Sequence, residues 1–159
     1  MIQDIDFHQQ HAKRLVESFK LVTGGDLINI PETPSLEPGS KSLAQQLFDA
    51  SFVVVSHNGG SDPKLNYGNQ VALDLWEMSW DDFIGTPSRQ TAEVEYREDR
   101  AAMLEQARVK GYIDDYEGIR ISSSGRRFKI ESTIIWAVPA IGNDREGQAA
   151  TFSKWRYLD

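Results

Sequence analysis

The residues with chemistry to offer are three histidines, scattered arginines and four tryptophans, in a chain with no cysteine. His57 opens the turn-forming stretch His57-Asn58-Gly59-Gly60-Ser61-Asp62-Pro63. An imidazole there, with an ordinary pKa of about 6.5, is either a hydrogen-bonding group at a pocket mouth or a turn histidine tied to nearby backbone. His8 and His11 stand three residues apart and share a helix face. With no obvious third ligand they read as a solvated face rather than a metal site. Arg89, Arg120, Arg126 and Arg127 each carry a planar fork that suits a carboxylate or phosphate. The alternative for each is an ion pair with Glu93, Glu95, Asp114 or Asp115. Trp76, Trp80, Trp136 and Trp155, with Tyr112, Tyr116, Phe128 and Phe152, could line an aromatic cavity or simply pack a core.

Catalytic patterns are missing. Without cysteine there are no disulfides, thiolate metal sites, iron–sulfur clusters or cysteine nucleophiles. Ser56 adjoins His57, but adjacency does not supply a nucleophile–base geometry, and no Gly-x-Ser-x-Gly turn is present. No glycine-rich phosphate loop occurs. Asp114 and Asp115 are neighbours that a strand would point to opposite sides, so they make no close acid/base pair. The chain is not expected to be an enzyme.

These side chains are positioned by a predictable order of elements. Residues 1–23 read as a helix, with Ile5, Ala12, Leu15, Phe19 and Val22 at helical spacing and Gly24-Gly25 as the stop. Pro31, Pro34 and Pro38 mark a linker or surface loop. Ser40 or Ser42 can cap a short helix through Phe48, Asn69 a second one and Ser79 a third. Ser51-Phe52-Val53-Val54-Val55-Ser56 is a buried strand, and Lys64 to Tyr67 a second short one. Arg97 to Lys110 is a longer helix closed by Gly111. Three strands follow, over 112–122, 126–138 and 147–155, with a tight turn at Ser122-Ser123-Ser124-Gly125. In the long strand, regular alternation puts Phe128, Ile130, Ile134 and Trp136 on one face and Arg127, Lys129 and Glu131 on a wet one. Strands clustered apart from helices predict an α+β layer, a five-stranded antiparallel sheet with helices on one face. Two regions are expected: a helix and Pro-rich linker over 1–39, and the sheet domain over 40–159.

The chain's 159 residues suit one core of this size, and 40% apolar content suits a packed globule. A net charge of −7 disfavours direct nucleic-acid binding. Met1-Ile2-Gln3-Asp4 lacks the basic start and apolar core of a signal peptide, and no apolar run could span a bilayer. A cytoplasmic location, with no membrane partner, is the expectation.

The element order resembles the PAS fold. Asn66-Tyr67-Gly68-Asn69-Gln70-Val71-Ala72-Leu73 leading to Trp80-Asp81-Asp82-Phe83-Ile84-Gly85 looks like its second strand entering its first helices. Tyr96-Arg97-Glu98-Asp99-Arg100 looks like the start of its long helix. A closer resemblance is to the MEKHLA family, which is PAS-related. It is carried by Ser56-His57, Asp62-Pro63, Asn66-Tyr67, Asn69, Ala72-Leu73, Pro87-Ser88-Arg89, Asp115-Tyr116, Gly118-Ile119-Arg120, Gly125-Arg126-Arg127-Phe128 and Gly147-Gln148-Ala149-Ala150. It spans residues 12–156. The literal string Met-Glu-Lys-His-Leu-Ala is absent, so the stand-alone bacterial type is expected rather than the plant one. The resemblance implies a PAS-like fold and a sensory or regulatory role, with no agreed ligand. Flavin-adduct and coumaric-type chromophores of such domains need a cysteine, and haem needs an axial histidine, which 97–110 lacks. The expected ligand-binding set is His57, Trp76, Arg89, Tyr116, Arg120, Phe128 and Trp136, around a small molecule between sheet and helices. The alternative is a ligand-free interaction module. A homodimer or a signalling protein is the expected partner.

Overall fold

The structure, a computed structural model, describes residues 5–28, 42–92, 103, 105, 106 and 109–158. The proline segment, the 39/40 boundary and most of the predicted helix over 97–110 lie outside the described residues. Helix α1 spans Ile5–Thr23 and α2 Leu43–Phe48, with Ser42 accepting from Gln45 N as the cap. Strands β1 (Val53–His57) and β2 (Leu65–Gly68) follow. Then come α3 (Gln70–Trp76), capped by Asn69, and α4 (Trp80–Phe83), capped by Ser79. A single 3-10 turn covers Ser88–Thr91. The rest is β3 (Tyr112–Ile121), β4 (Arg127–Val138), β5 (Gly147–Phe152) and β6 (Lys154–Tyr157).

All pairings are antiparallel, in the order β2-β1-β5-β4-β3. β6 also pairs with β4. It continues β5 in one register, since Ile134 faces Thr151 and, three residues along each chain, Glu131 faces Lys154. The expected five-stranded sheet is therefore present, with its last strand broken at Ser153.

The break belongs to a line across the sheet. Opposite Ser153 sits Ser132 in β4, at φ 50°, and β3 carries Asp115 at φ 56°. Ordinary side chains rarely enter this left-handed region. The β3–β4 register slips on both sides of Tyr116, so each strand holds one bulge. Each bulge changes the parity of the side chains. Phe128 and Ile130 share a core with Ile135, whereas Ile134, Trp136 and Val138 face the other way. The expected grouping of Phe128 and Ile130 with Ile134 and Trp136 fails for this reason.

Two cores result, one on each face. The inner core holds Trp76 of α3 and Phe83 of α4 against Val53, Phe128, Ile130, Ile135 and Phe152. The outer core holds Ala12, Leu15, Val16 and Phe19 of α1 against Val54, Tyr67, Trp136 and Ala149. The sheet is thus covered on both faces, rather than one, over its β1–β5 half. Burying the α1 stripe is favourable because each large apolar side chain removed from water contributes about 1.5–3 kcal/mol. Among the described residues no helix is long and apolar enough to cross a membrane.

Candidate functional site

On the inner face, β1, β3, β4 and β5 meet α3, α4 and the 3-10 turn around a cavity of about 110 Å³. His57, Trp76 and Arg120 line it, with Ser88, Thr91 and Gln148 as further polar walls. His57 reaches this face because it continues the alternation of Val53 and Val55. Its Nδ1 accepts from Gly59 N at 3.0 Å, so the other ring nitrogen carries the hydrogen. Burial lowers its pKa, and a hydrogen bond with the Gln148 side chain works against that. His57 therefore favours the neutral form, with an N–H for a buried acceptor.

Arg120 lies along the Tyr116 ring, its guanidinium carbon 5.6 Å from the centroid, and donates to Ile119 O at 3.2 Å. Tyr116, Gly118 and Arg120 follow one another on the same face of β3. A Cβ at Gly118 would sit 2.5 Å from the Tyr116 hydroxyl and 2.9 Å from Arg120 Nη1. Only glycine leaves room for the arginine to fold back over the tyrosine. Trp76 meets Phe128 edge-on at 5.3 Å, with Phe83 at 6.0 Å and Phe152 at 6.3 Å. Its indole N–H points to Thr91 O at 3.4 Å.

Of the expected set, His57, Trp76 and Arg120 line the cavity, and Tyr116 and Phe128 support it from the same face. Arg89 and Trp136 do not belong there. Arg89 is exposed and pairs with Asp62 at 3.2 Å, the ion-pair alternative with a partner that local charge did not suggest. Trp136 is turned to the outer core by the Ser132 bulge, where Phe19 meets it edge-on at 5.0 Å. Its Nε1 donates to Ser18 Oγ at 2.9 Å. Ser88 and Gln148 stand in the stretches that carry the family resemblance, but neither they nor Thr91 were expected in the cavity, because a lone polar residue in a turn or strand carries no binding signal of its own.

The outer face corrects a second expectation. His8 and His11 are 2% and 3% exposed, not solvated. His11 Nε2 lies 2.8 Å from Ser56 Oγ, which donates to Asn66 Oδ1 at 2.5 Å. Burial first, then the charges of Arg14 and His8, lowers the His11 pKa to about 4. The neighbouring Tyr67 hydroxyl is buried and finds no hydrogen-bond partner among the described residues, and burial raises its pKa. Had the two histidines been counted as members of the Ala12–Leu15–Phe19 stripe, their spacing would have predicted this. Among the described residues no group of three potential ligands could hold a metal.

The MEKHLA domain model matches residues 9–157. The chain belongs to the MEKHLA domain family. A curated relative, the homeobox-leucine zipper protein ATHB-9 of Arabidopsis thaliana, is 26% identical over 148 residues, covering 91% of this chain. The chain spans only 17% of that relative's length. The relative is a plant protein, so the expected bacterial type gains no support from it. Among solved structures, an RNA-binding light-oxygen-voltage receptor superposes with a TM-score of 0.54 at 21% identity, over 83% of this chain and 37% of that one. A light-oxygen-voltage domain bearing a flavin analogue gives 0.51 at 16% identity, over 75% and 86%. A fungal light-oxygen-voltage photoreceptor gives 0.50 at 14%, over 81% and 83%. These likenesses establish the PAS-like α+β fold of this MEKHLA domain.

The flavin of light-oxygen-voltage domains can be tested against this inner face. No cysteine exists to form an adduct. The cavity of about 110 Å³ is well below the roughly 300–1,000 Å³ typical of sites for cofactor-sized molecules. Within the described residues a flavin does not fit.

Proposed function

We propose that this MEKHLA domain is a non-catalytic sensory or regulatory module that takes a small molecule between the sheet and α3–α4. The carrying observation is the inner cavity where His57, Arg120 and Gln148 present polar groups beside Trp76. Its size supports a ligand of a few heavy atoms, since an apolar cavity of about 150 Å³ is known to accept benzene. The residues offer binding and hydrogen bonding. The described side chains bring no nucleophile–base–acid cluster to this cavity. The expected cytoplasmic location and a signalling partner go with this reading.

The test is native mass spectrometry of the purified chain beside a thermal-shift screen of small polar aromatics. A retained or stabilising ligand whose effect disappears in Ala150→Leu, which fills the cavity, supports the proposal. A ligand whose effect is unchanged in that variant defeats it. The small cavity also favours a second reading, a ligand-free interaction module. That reading gains if no compound shifts the wild type and Ala150→Leu is simply more stable.

A further inference from the structure

A larger opening lies on the other face. It is bounded by α1, by the ends of β1 and β2, and by the loop joining β4 to β5, and encloses about 370 Å³. It continues along α1 into a groove of about 520 Å³ that shares Phe7, His11 and Arg14. The deep wall is polar and ordered by hydrogen bonds: His11, Ser56 and Asn66 form the chain described above.

Two arginines flank it. The Arg14 side chain is only 11% exposed. It donates from Nε and Nη2 to Pro139 O at 3.3 and 2.8 Å, and from Nη2 to Arg145 O at 3.2 Å. Its Nη1 has only a loose approach of 3.9 Å to the exposed Asp144 carboxylate. Arg145 donates from Nε to Asn58 O at 2.7 Å and from Nη2 to Asn58 Oδ1 at 3.4 Å. Its guanidinium lies against Gly60, at φ 86°, where a Cβ would approach to 2.7 Å. Arg14 is thus held by backbone carbonyls and Arg145 by the carbonyl and side chain of Asn58, and among the described residues one N–H corner of each stays unspent. Arg14 and Arg145 against Asp144 give this wall a net positive charge, in a chain whose total is −7. Phe7 and Val138 add apolar surface.

We propose that this cleft is a second binding site, for a small organic carboxylate held between Arg14 and Arg145, with the His11–Ser56–Asn66 chain as its polar floor. Two separate guanidinium corners suit one anion with two oxygens, and charge-assisted hydrogen bonds of this kind are about twice as strong as neutral ones. The site lies across the sheet from the inner cavity, and the two share only Ser56 and His57 of β1 in their linings.

The full chain is titrated with acetate, benzoate and inorganic phosphate at constant ionic strength, following the His11 ring signals by NMR and affinity by calorimetry. The expected result is saturable binding of a carboxylate with a shift of the His11 signals and a rise in its pKa. Arg145→Gln, at an exposed position, weakens binding about tenfold, while Ala150→Leu leaves it unchanged. Arg14→Gln weakens it at least as much if the variant keeps its fold. Preference for phosphate, binding that survives Arg145→Gln, loss of binding in Ala150→Leu, or no saturable shift of His11 would each overturn the proposal.

Discussion

Replacing Asn69 by alanine should remove a large part of this protein's stability. Asn69 is fully buried and its side chain is used at both ends. Oδ1 accepts from Val54 N at 3.1 Å and from Ala72 N at 3.3 Å. Nδ2 donates to Phe52 O at 2.8 Å and to Leu47 O at 3.2 Å. One amide therefore caps α3, secures the start of β1 and holds the end of α2. Loss of a cap costs about 1 kcal/mol. A buried N–H left without an acceptor, here Val54 N, costs about 1–3 kcal/mol more. The two carbonyls lose a donor at smaller cost, because unsatisfied carbonyls are better tolerated than orphaned N–H groups. The total is about 3–5 kcal/mol, against a usual domain stability of about 5–15 kcal/mol. Urea unfolding followed by tryptophan fluorescence measures it. Asn69→Asp makes a sharper control. It keeps both accepted bonds but sets a carboxylate against two carbonyl oxygens, which raises its folded pKa. The stability of Asn69→Asp relative to wild type should therefore recover as pH falls and worsen as pH rises. A loss under about 1 kcal/mol for Asn69→Ala, with an unchanged denaturant slope, would refute this accounting.

Other consequences can be measured on the same material. His11 is neutral when folded, with a pKa of about 4 against 6.5 free, so its contribution is complete above pH 6.5 and is lost as pH falls toward 4. At about 1.36 kcal/mol per unit, this amounts to about 3 kcal/mol by pH 4, and a His11→Gln variant should show a flatter stability–pH curve. Ala150→Leu adds three carbons to the inner cavity and should raise the melting temperature, by up to about 2 kcal/mol of stability at roughly 0.8 kcal/mol per CH₂. An unchanged or lower melting point would mean that the space is not available to an apolar group. Ser18→Ala removes the partner of a buried indole N–H and should cost about 1–3 kcal/mol in chemical denaturation. Arg89→Gln, at an exposed ion pair, should cost less than about 1 kcal/mol in the same assay.

Much of the fold could be read from the residues because local signals decided it. Val53-Val54-Val55 reads as strand, Asn69 and Ser79 as caps, and Ser122–Gly125 as a turn, and each is found so. What escaped is what depends on partners distant in sequence. Glu77 takes a left-handed backbone at the end of α3, and its carboxylate receives the hydroxyls of Ser122 and Ser124, joining a helix to a turn far along the chain. Nothing in Ser132 announces a bulge, so strict alternation sent Trp136 to the wrong face. Histidine is a polar residue by type, yet a stripe that packs on a serine and an asparagine can bury it. His57 reads from sequence as a turn residue at a pocket mouth, yet it is the last residue of β1 and lines the inner cavity, as does Arg120 of β3. Arg89, on an irregular turn with no periodicity, pairs with Asp62 instead.

The row formed by Asp115, Ser132 and Ser153 divides the back of the sheet into two territories. Beside α1 it is dry. Beyond the row, Lys129 meets Glu117 at 3.2 Å and Arg156 meets Glu131 at 3.2 Å, in contact with water. Three neighbouring strands change parity in step, so gaining or losing one residue in any one of them would exchange its dry and wet side chains while its neighbours stayed put. Changes of length in this half of the protein should therefore be confined to its turns, and the strands themselves should behave as a fixed-length unit.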